Sequence, residues 1–499
     1  MGTENTVTTT SGRVRGISSP RSADGAVTVH RSIPYAAAPF GEHRFAAPAP
    51  APAWDGVRDC GEYGPPCPQG TQLIGAAHWS PEMSGECLTA TVWSAASEGD
   101  RAPVLVWIHG GAYIVGAASE ATYDGTRLAE SGLVVVGVNY RVGFEGFGHV
   151  PGRPDNRGLL DQIAALRWVR DNIAAFGGDP GNVTVAGESA GAGSVACLLA
   201  MPEARGLFRR AIAHSVPGDM VTPGAARSVS ERIASAAGVP LEAEALAALA
   251  PEKILAAVDA VLDAAPTGKG VRTKSFTCFA PVVGGPELPE PPLEVVARGA
   301  SASVDLLTGH NAHEYRLFTE LGQKVEIDGD GALEATAARL GLPDGAVAAY
   351  REAHPGMPPR LLYAAIQGDA LFSEYTVRLA EAHAAAGGRS FFFRLTAESA
   401  ALGGALGACH AFDLPFAFGN TDGPFGQFLF DGEPTEEQRA LSARMVAAWR
   451  DFAASGDPGW PAVTAEATPV KVWDTPDDLK AFDDSPVRAV WKDVPVPAR

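Results

Sequence analysis

Two kinds of apolar pattern alternate along the chain. Val104-Leu105-Val106-Trp107-Ile108 and residues 133–138 are short, unbroken and rich in β-branched side chains. Runs of that kind, without polar alternation, mark strands buried on both faces. Residues 159–175 behave differently: Leu160, Ile163, Ala164, Leu166, Trp168, Val169 and Ile173 recur at helical spacing. Strand-like runs return at residues 183–186, 211–213, 304–309 and 390–395, with helical stretches between them. This alternation predicts an α/β fold, a mostly parallel central sheet with helices on both faces.

The remainder fills in around that frame. Residues 1–40 read as short strands with turn signals, 46–56 as an extended Pro/Ala segment, and 61–86 as an irregular Gly/Pro-rich loop. Residues 222–265 and 330–388 read as helical. Glu436–Ser455 reads as a late amphipathic helix, stopped by Gly456-Asp457-Pro458-Gly459. No internal repeat or long linker divides the chain. It therefore reads as one domain, 1–499, with helical insertions at about 216–300 and 316–388 roofing the sheet.

Composition narrows the classes. The 499 residues are 46% hydrophobic, enough for a sizeable core, and carry a net charge of -19. Such a charge repels nucleic acid and anionic membranes, so neither is expected as a partner. No apolar run approaches the ~20 residues of a membrane span. The first 16 residues lack a basic segment followed by an apolar core, so no signal peptide is read. A cytoplasmic location is expected, with secretion only if a leader had been removed. The cysteines are Cys60, Cys67, Cys87, Cys197, Cys278 and Cys409. They form no C-x-x-C and are too sparse for a disulfide scaffold, which makes reduced thiols the default.

The chemistry gathers at Gly187-Glu188-Ser189-Ala190-Gly191, between an apolar strand-like run and a small-residue helical run. G-x-S-x-G in a strand-turn-helix context resembles the nucleophile elbow of α/β-hydrolases. Close passage of strand and helix demands small residues on either side of the serine. A serine nucleophile needs an acid and a histidine, which follow it in that order in such folds. Two loops after strand-like runs supply them: His310-Asn311-Ala312-His313-Glu314 and Gly407-Ala408-Cys409-His410. Upstream, His109-Gly110-Gly111-Ala112 follows a strand and can turn backbone N–H groups toward a developing oxyanion.

Further motifs make the resemblance specific. They are Ile33-Pro34-Tyr35-Ala36 with Arg44-Phe45, Pro66-Cys67-Pro68-Gln69 with Glu86-Cys87-Leu88, and Trp107 through Tyr113. Asn139-Tyr140-Arg141, Gly158 through Gln162, Phe176-Gly177-Gly178-Asp179-Pro180 and Trp449 through Pro458 follow in order. Nearly end to end, the chain resembles the type-B carboxylesterase family, which includes para-nitrobenzyl esterases and cholinesterases. The resemblance implies an α/β-hydrolase fold and a serine esterase acting on small-molecule esters through an acyl-enzyme. It implies no cofactor and no metal, and a monomer or small homo-oligomer.

By the same resemblance Ser189 is the nucleophile, Glu314 the acid and His410 the base. Backbone N–H groups of Gly111, Ala112 and Ala190 form the oxyanion hole. Glu188 and Ser215 stand behind the triad. The family's acid sits in an Asp-Glu-Gly-like motif, whereas this chain has His313-Glu314-Tyr315. Arg141 with Asp161 resembles a structural ion pair. The family's partner for Arg44 falls on Gly85, so that pair is expected to be lost or moved to Glu86. A Cys67–Cys87 disulfide is implied only for an oxidising compartment. Ala112 resembles a loop variant associated with room for bulky alcohols.

Rival readings use the same residues. Gly191 through Ala196 also spells a dinucleotide fingerprint, G-x-G-x-x-A. His310, His313 and Glu314 could suggest a metal site, although H-x-x-H-E matches neither helical zinc motif. A non-catalytic binding relative, or an amide or carbamate hydrolase using the same triad, are the functional alternatives.

Overall fold

A computed structural model describes residues 5–70, 77–263, 277–322, 327–482 and 486–495. Parts of the predicted loop at 61–86 and of both helical insertions therefore lie outside the described residues.

In chain order the described strands are β1 (Thr6–Thr8), β2 (Arg13–Arg15), β3 (Ile17–Ser18), β4 (Thr28–Pro34), β5 (Val57–Asp59), β6 (Thr89–Ser94) and β7 (Ala102–Ile108). Then come β8 (Val134–Val138), β9 (Gly178–Glu188), β10 (Arg210–His214), β11 (Asp305–Asn311), β12 (Ser390–Leu395), β13 (Pro469–Trp473) and β14 (Asp478–Ala481). β1, β2 and β5 form a small separate sheet. The rest make one sheet in the order β14-β13-β12-β11-β10-β9-β7-β8-β6-β4-β3. From β8 across to β13 every pairing is parallel, and the pairings at both edges are antiparallel. The α/β-hydrolase architecture follows from this sheet and its flanking helices.

The unalternating runs are where the sequence puts them, because helices cover both faces. Every residue of β8 and β10 is buried. The helices Arg157–Asn172 and Ala190–Ala200 pack on one face. Glu436–Ser455 packs on the other, through Leu441, Met445, Trp449 and Phe452. That helix starts with a capping box, Thr435 with Gln438, and stops at Gly456 with φ 81°.

Four strands, β5, β6, β13 and β14, do not stand out in the sequence. β6 reads Thr-Ala-Thr-Val-Trp-Ser, and its threonines mask a strand whose six residues are all buried. β14 is exposed throughout and has no apolar signature to find. Across residues 216–300 and 316–388 the described helices include Pro223–Ala236, Pro251–Asp263, Asp330–Arg339, Pro359–Gly368 and Glu374–Ala385.

Candidate active site

The sheet delivers a serine to its C-terminal edge. β9 ends at Glu188, Ser189 turns with φ 55° and ψ -125°, and a helix begins at Ala190. An L-residue reaches that backbone region only under strain. A Cβ on Gly187 would lie 2.5 Å from the Gly191 carbonyl carbon, and one on Gly191 would collide with the Ile108 carbonyl of β7. One on Gly193 would run into the Tyr113 hydroxyl. These glycines are spoken for by strand–helix packing, which accounts for the apparent dinucleotide spelling. The Ser189 N–H donates to the His214 carbonyl at 3.0 Å, tying the turn to β10.

β11 ends at Asn311, and Glu314 follows in a buried turn. Its Oε1 accepts the Asn311 N–H at 2.7 Å and the Ser215 hydroxyl at 2.6 Å. Its Oε2 lies 2.5 Å from His410 Nδ1. The His410 N–H also donates to the Glu314 carbonyl at 3.2 Å. His410 Nε2 stands 3.0 Å from Glu188 Oε1, beside the elbow. Glu314, His410, Ser215 and Glu188 are thus brought into one contiguous group. A hydrogen bond from Ser189 to His410 is not formed, and such bonds commonly tighten only around substrate.

Charge accounts for the state of this group. Burial disfavours the His410 imidazolium, yet Glu188 and Glu314 outweigh it and hold the pKa above the ordinary histidine value. Burial likewise raises the Glu188 carboxyl, with His410 pulling against that shift.

The loop after β7 lies against the elbow: a Cβ on Gly110 would be 3.3 Å from Ser189 Cβ. Gly111 has φ 105°, Ala112 53° and Tyr113 62°. Ile114 and Val115 both donate back to the Gly111 carbonyl, at 3.0 and 3.1 Å. Among the described residues, the N–H groups of Gly111, Ala112 and Ala190 donate to nothing. His109 props the loop. It stacks on Tyr140 at 4.3 Å, its carbonyl accepts the Tyr140 hydroxyl at 2.8 Å, and burial lowers its pKa to about 4.

Several expectations are corrected or completed here. Arg44 pairs not with Glu86 but with Glu145, at 2.6 Å, while Glu86 meets Arg58 at 2.5 Å. Arg141 and Asp161 form a buried two-pronged pair at 2.7 and 2.8 Å. Cys67 and Cys87 are neighbouring buried thiols. Among the described residues no cluster suits a metal ion. His310 Nδ1 is 2.9 Å from the Asn311 carbonyl, His313 accepts the Ala408 N–H at 3.1 Å, and Glu314 faces His410.

Three features escape sequence reasoning. Asn311 helps to hold Glu314. Phe372 and Phe318 pack on the His410 ring. A second buried pair, His214 with Asp413 at 2.6 Å, lies directly behind the site. Helical spacing signals only that the two phenylalanines are apolar, and nothing local links His214 to Asp413.

Comparison with known proteins shows the family. The carboxylesterase family model matches residues 3–480. The chain belongs to the carboxylesterase family. It is 37% identical over 491 residues to a para-nitrobenzyl esterase of Bacillus subtilis (strain 168), covering 95% of each chain. It is 34% identical over 466 residues to a phenmedipham hydrolase of Pseudarthrobacter oxydans, covering 89% of this chain and 91% of that one. A crystal structure of a Geobacillus stearothermophilus carboxylesterase superposes with TM-score 0.85 at 36% identity, over 98% of this chain and 100% of the other. The chain is an ester hydrolase of the α/β-hydrolase fold. No helix among its described residues is long and apolar enough to cross a membrane.

Proposed function

We propose that the esterase cleaves small-molecule carboxylic esters with Ser189 as nucleophile, His410 as base and Glu314 as acid. The observation that carries this reading is the hydrogen-bonded chain Ser215–Glu314–His410, whose far nitrogen meets Glu188, the residue before a strained serine. His410 takes the Ser189 proton as Oγ attacks the carbonyl carbon. Glu314, aligned by Ser215 and Asn311, keeps the proton on Nδ1 and stabilises the imidazolium. The N–H groups of Gly111, Ala112 and Ala190 receive the tetrahedral oxyanion, each worth roughly 3 kcal/mol. His410 returns the proton to the leaving alkoxide. Water then repeats the sequence on the acyl-enzyme.

Glu188, facing Nε2, steadies the imidazolium that forms each time His410 takes a proton. The chain's net charge of -19 supports a partnership with small esters rather than nucleic acid or membranes. We place it in the cytoplasm, as a monomer or small homo-oligomer. The relation to a phenmedipham hydrolase favours a second reading, in which the same triad also cleaves amide or carbamate bonds.

The test is Ser189→Ala. Hydrolysis of a short-chain aryl ester is expected to disappear, with thermal unfolding close to wild type. An organophosphate is expected to label the wild type once per chain and the variant not at all. Near-wild-type turnover by the variant would refute the assignment.

A further inference from the structure

The turn Asp369–Ser373 is a π-helix set between the α-helices Pro359–Gly368 and Glu374–Ala385. Such insertions re-aim the side chains they carry and gather at functional sites. This one lays Phe372 on His410, with ring centroids 4.3 Å apart and planes 28° from parallel. Phe318 approaches the same imidazole at 5.3 Å, and the two phenyl rings are within 14° of parallel.

The π-turn is held from its far side. Asp369 accepts the Tyr350 hydroxyl at 2.6 Å, and that hydroxyl accepts the Trp491 indole N–H at 2.7 Å. Trp491 belongs to the helix Pro486–Trp491, which Arg378 fastens by donating to the Trp491 and Val494 carbonyls. Within the fold, the Leu371 carbonyl accepts the Gly218 N–H at 3.1 Å, and the Phe372 carbonyl accepts the Thr376 hydroxyl at 2.7 Å.

We propose that Phe372 is a positioning residue for the reaction, set by the Trp491–Tyr350–Asp369 chain. Its ring fixes the plane of the His410 imidazole and lends a π face to the imidazolium. The proposal rests on His410 being the base. A phenyl face stabilises a cation most where water is excluded, and His410 is buried. The charged groups near His410 are Glu314, Glu188 and Asp413. Phe372 adds no charge to them, so its influence on proton affinity comes through the ring face alone.

The experiment is a pH profile of para-nitrophenyl acetate hydrolysis by wild type, Phe372→Leu, Phe372→Tyr and Tyr350→Phe. Losing the ring destabilises the imidazolium, so the His410 pKa falls and the acid limb of kcat/KM moves to lower pH. Phe372→Leu is expected to lower kcat about tenfold, with KM within about twofold and the limb shifted down by about half to one unit. Phe372→Tyr keeps the ring face and is expected to restore limb and kcat. Tyr350→Phe cuts the chain without touching the site and is expected to shift the limb the same way by less. It decides the case if Phe372→Leu does not fold. A limb unmoved in Phe372→Leu makes Phe372 a space-filler and overturns the proposal. An unmoved limb in Tyr350→Phe overturns the link to Trp491. Full activity in His410→Gln would instead sink the base assignment, a separate failure.

Discussion

Two buried histidine–carboxylate pairs sit side by side and share Asn311. His410 Nδ1 meets Glu314 at 2.5 Å, and His214 Nδ1 meets Asp413 at 2.6 Å. Asn311 donates its N–H to Glu314 at 2.7 Å and its side-chain amide to Asp413 at 3.0 Å. The pairs part at the second ring nitrogen. His214 Nε2 accepts the Trp449 indole N–H at 2.9 Å, and an indole can only donate, so the His214 lone pair is occupied. His410 Nε2 opens toward Glu188 and the elbow. A carboxylate behind an imidazole orients it, but an accessible lone pair is what lets it take a proton.

The largest effect expected from this contrast is a reversal between paired variants. His410→Gln should lower kcat by about 10⁴ or more in protein that still folds. His214→Gln should spare kcat and cost stability. It strands Asp413 without its partner at 0% exposure, at a cost of about 3–5 kcal/mol in unfolding free energy. Its folded fraction should keep kcat within a few-fold. A folded His214→Gln enzyme with 10⁴-fold lower kcat would erase the distinction.

Glu314→Gln comes next. The amide can still accept from Ser215 and Asn311, but its NH₂ then faces Nδ1 and favours the tautomer with the proton on Nε2. A loss of about 10³–10⁴ in kcat is expected, with KM little changed. A loss under about tenfold would mean that the tautomer does not matter here.

A smaller effect separates the pairs by pH. Burial would raise the Asp413 carboxyl, but His214 and Asn311 together hold it below its ordinary 3.8. Its stabilising contribution is therefore complete above pH 3.8 and fades as pH falls through the lower folded value. His410 is shifted upward from 6.5, so its contribution is complete below that value and is lost as pH rises through the folded one. Melting temperatures across pH 3–10 should show that Asp413→Asn flattens the acid side and His410→Gln the alkaline side. If Asp413→Asn leaves the acid side unchanged, the carboxylate does not carry that slope.

These pairs also show what a sequence can disclose. Gly187, Gly191 and the loop through Ala112 are legible because each demand is local: a strained turn or a close backbone approach selects small residues wherever it occurs. The core strands are legible for the same reason, since burial on both faces filters β7 and β8 residue by residue. Glu314 and His410 needed the order of the family's triad as well as their strand-then-loop settings. The pairing of Arg44 with Glu145 was not legible because Glu145 lies 101 residues away and the contact depends on how the turn at Arg44 meets the helix Gly143–Phe147. Phe372 was invisible because a π-turn has no distinct residue pattern, and a phenylalanine in a helix reads as core. His214 and Asp413 are 199 residues apart, and only the meeting of β10 with the turn after His410 unites them.

The smallest expected effect bears most directly on the lone pair. Trp449→Phe removes the one donor to His214 Nε2 and keeps an aromatic ring among Phe393, His214 and Trp473. The buried acceptor is left unsatisfied, at a cost of about 1–3 kcal/mol in urea unfolding. The kcat for an aryl ester should stay within about twofold, because the nearest hydroxyl by sequence, Ser215, already donates to Glu314. In the double variant Trp449→Phe with His410→Gln, no turnover should return. An imidazole with a carboxylate behind it and a free nitrogen still needs a hydroxyl in front of it, and the elbow that carries Ser189 meets His410 instead, through Glu188. Recovered hydrolysis in that double variant would show that His214 reaches a nucleophile after all.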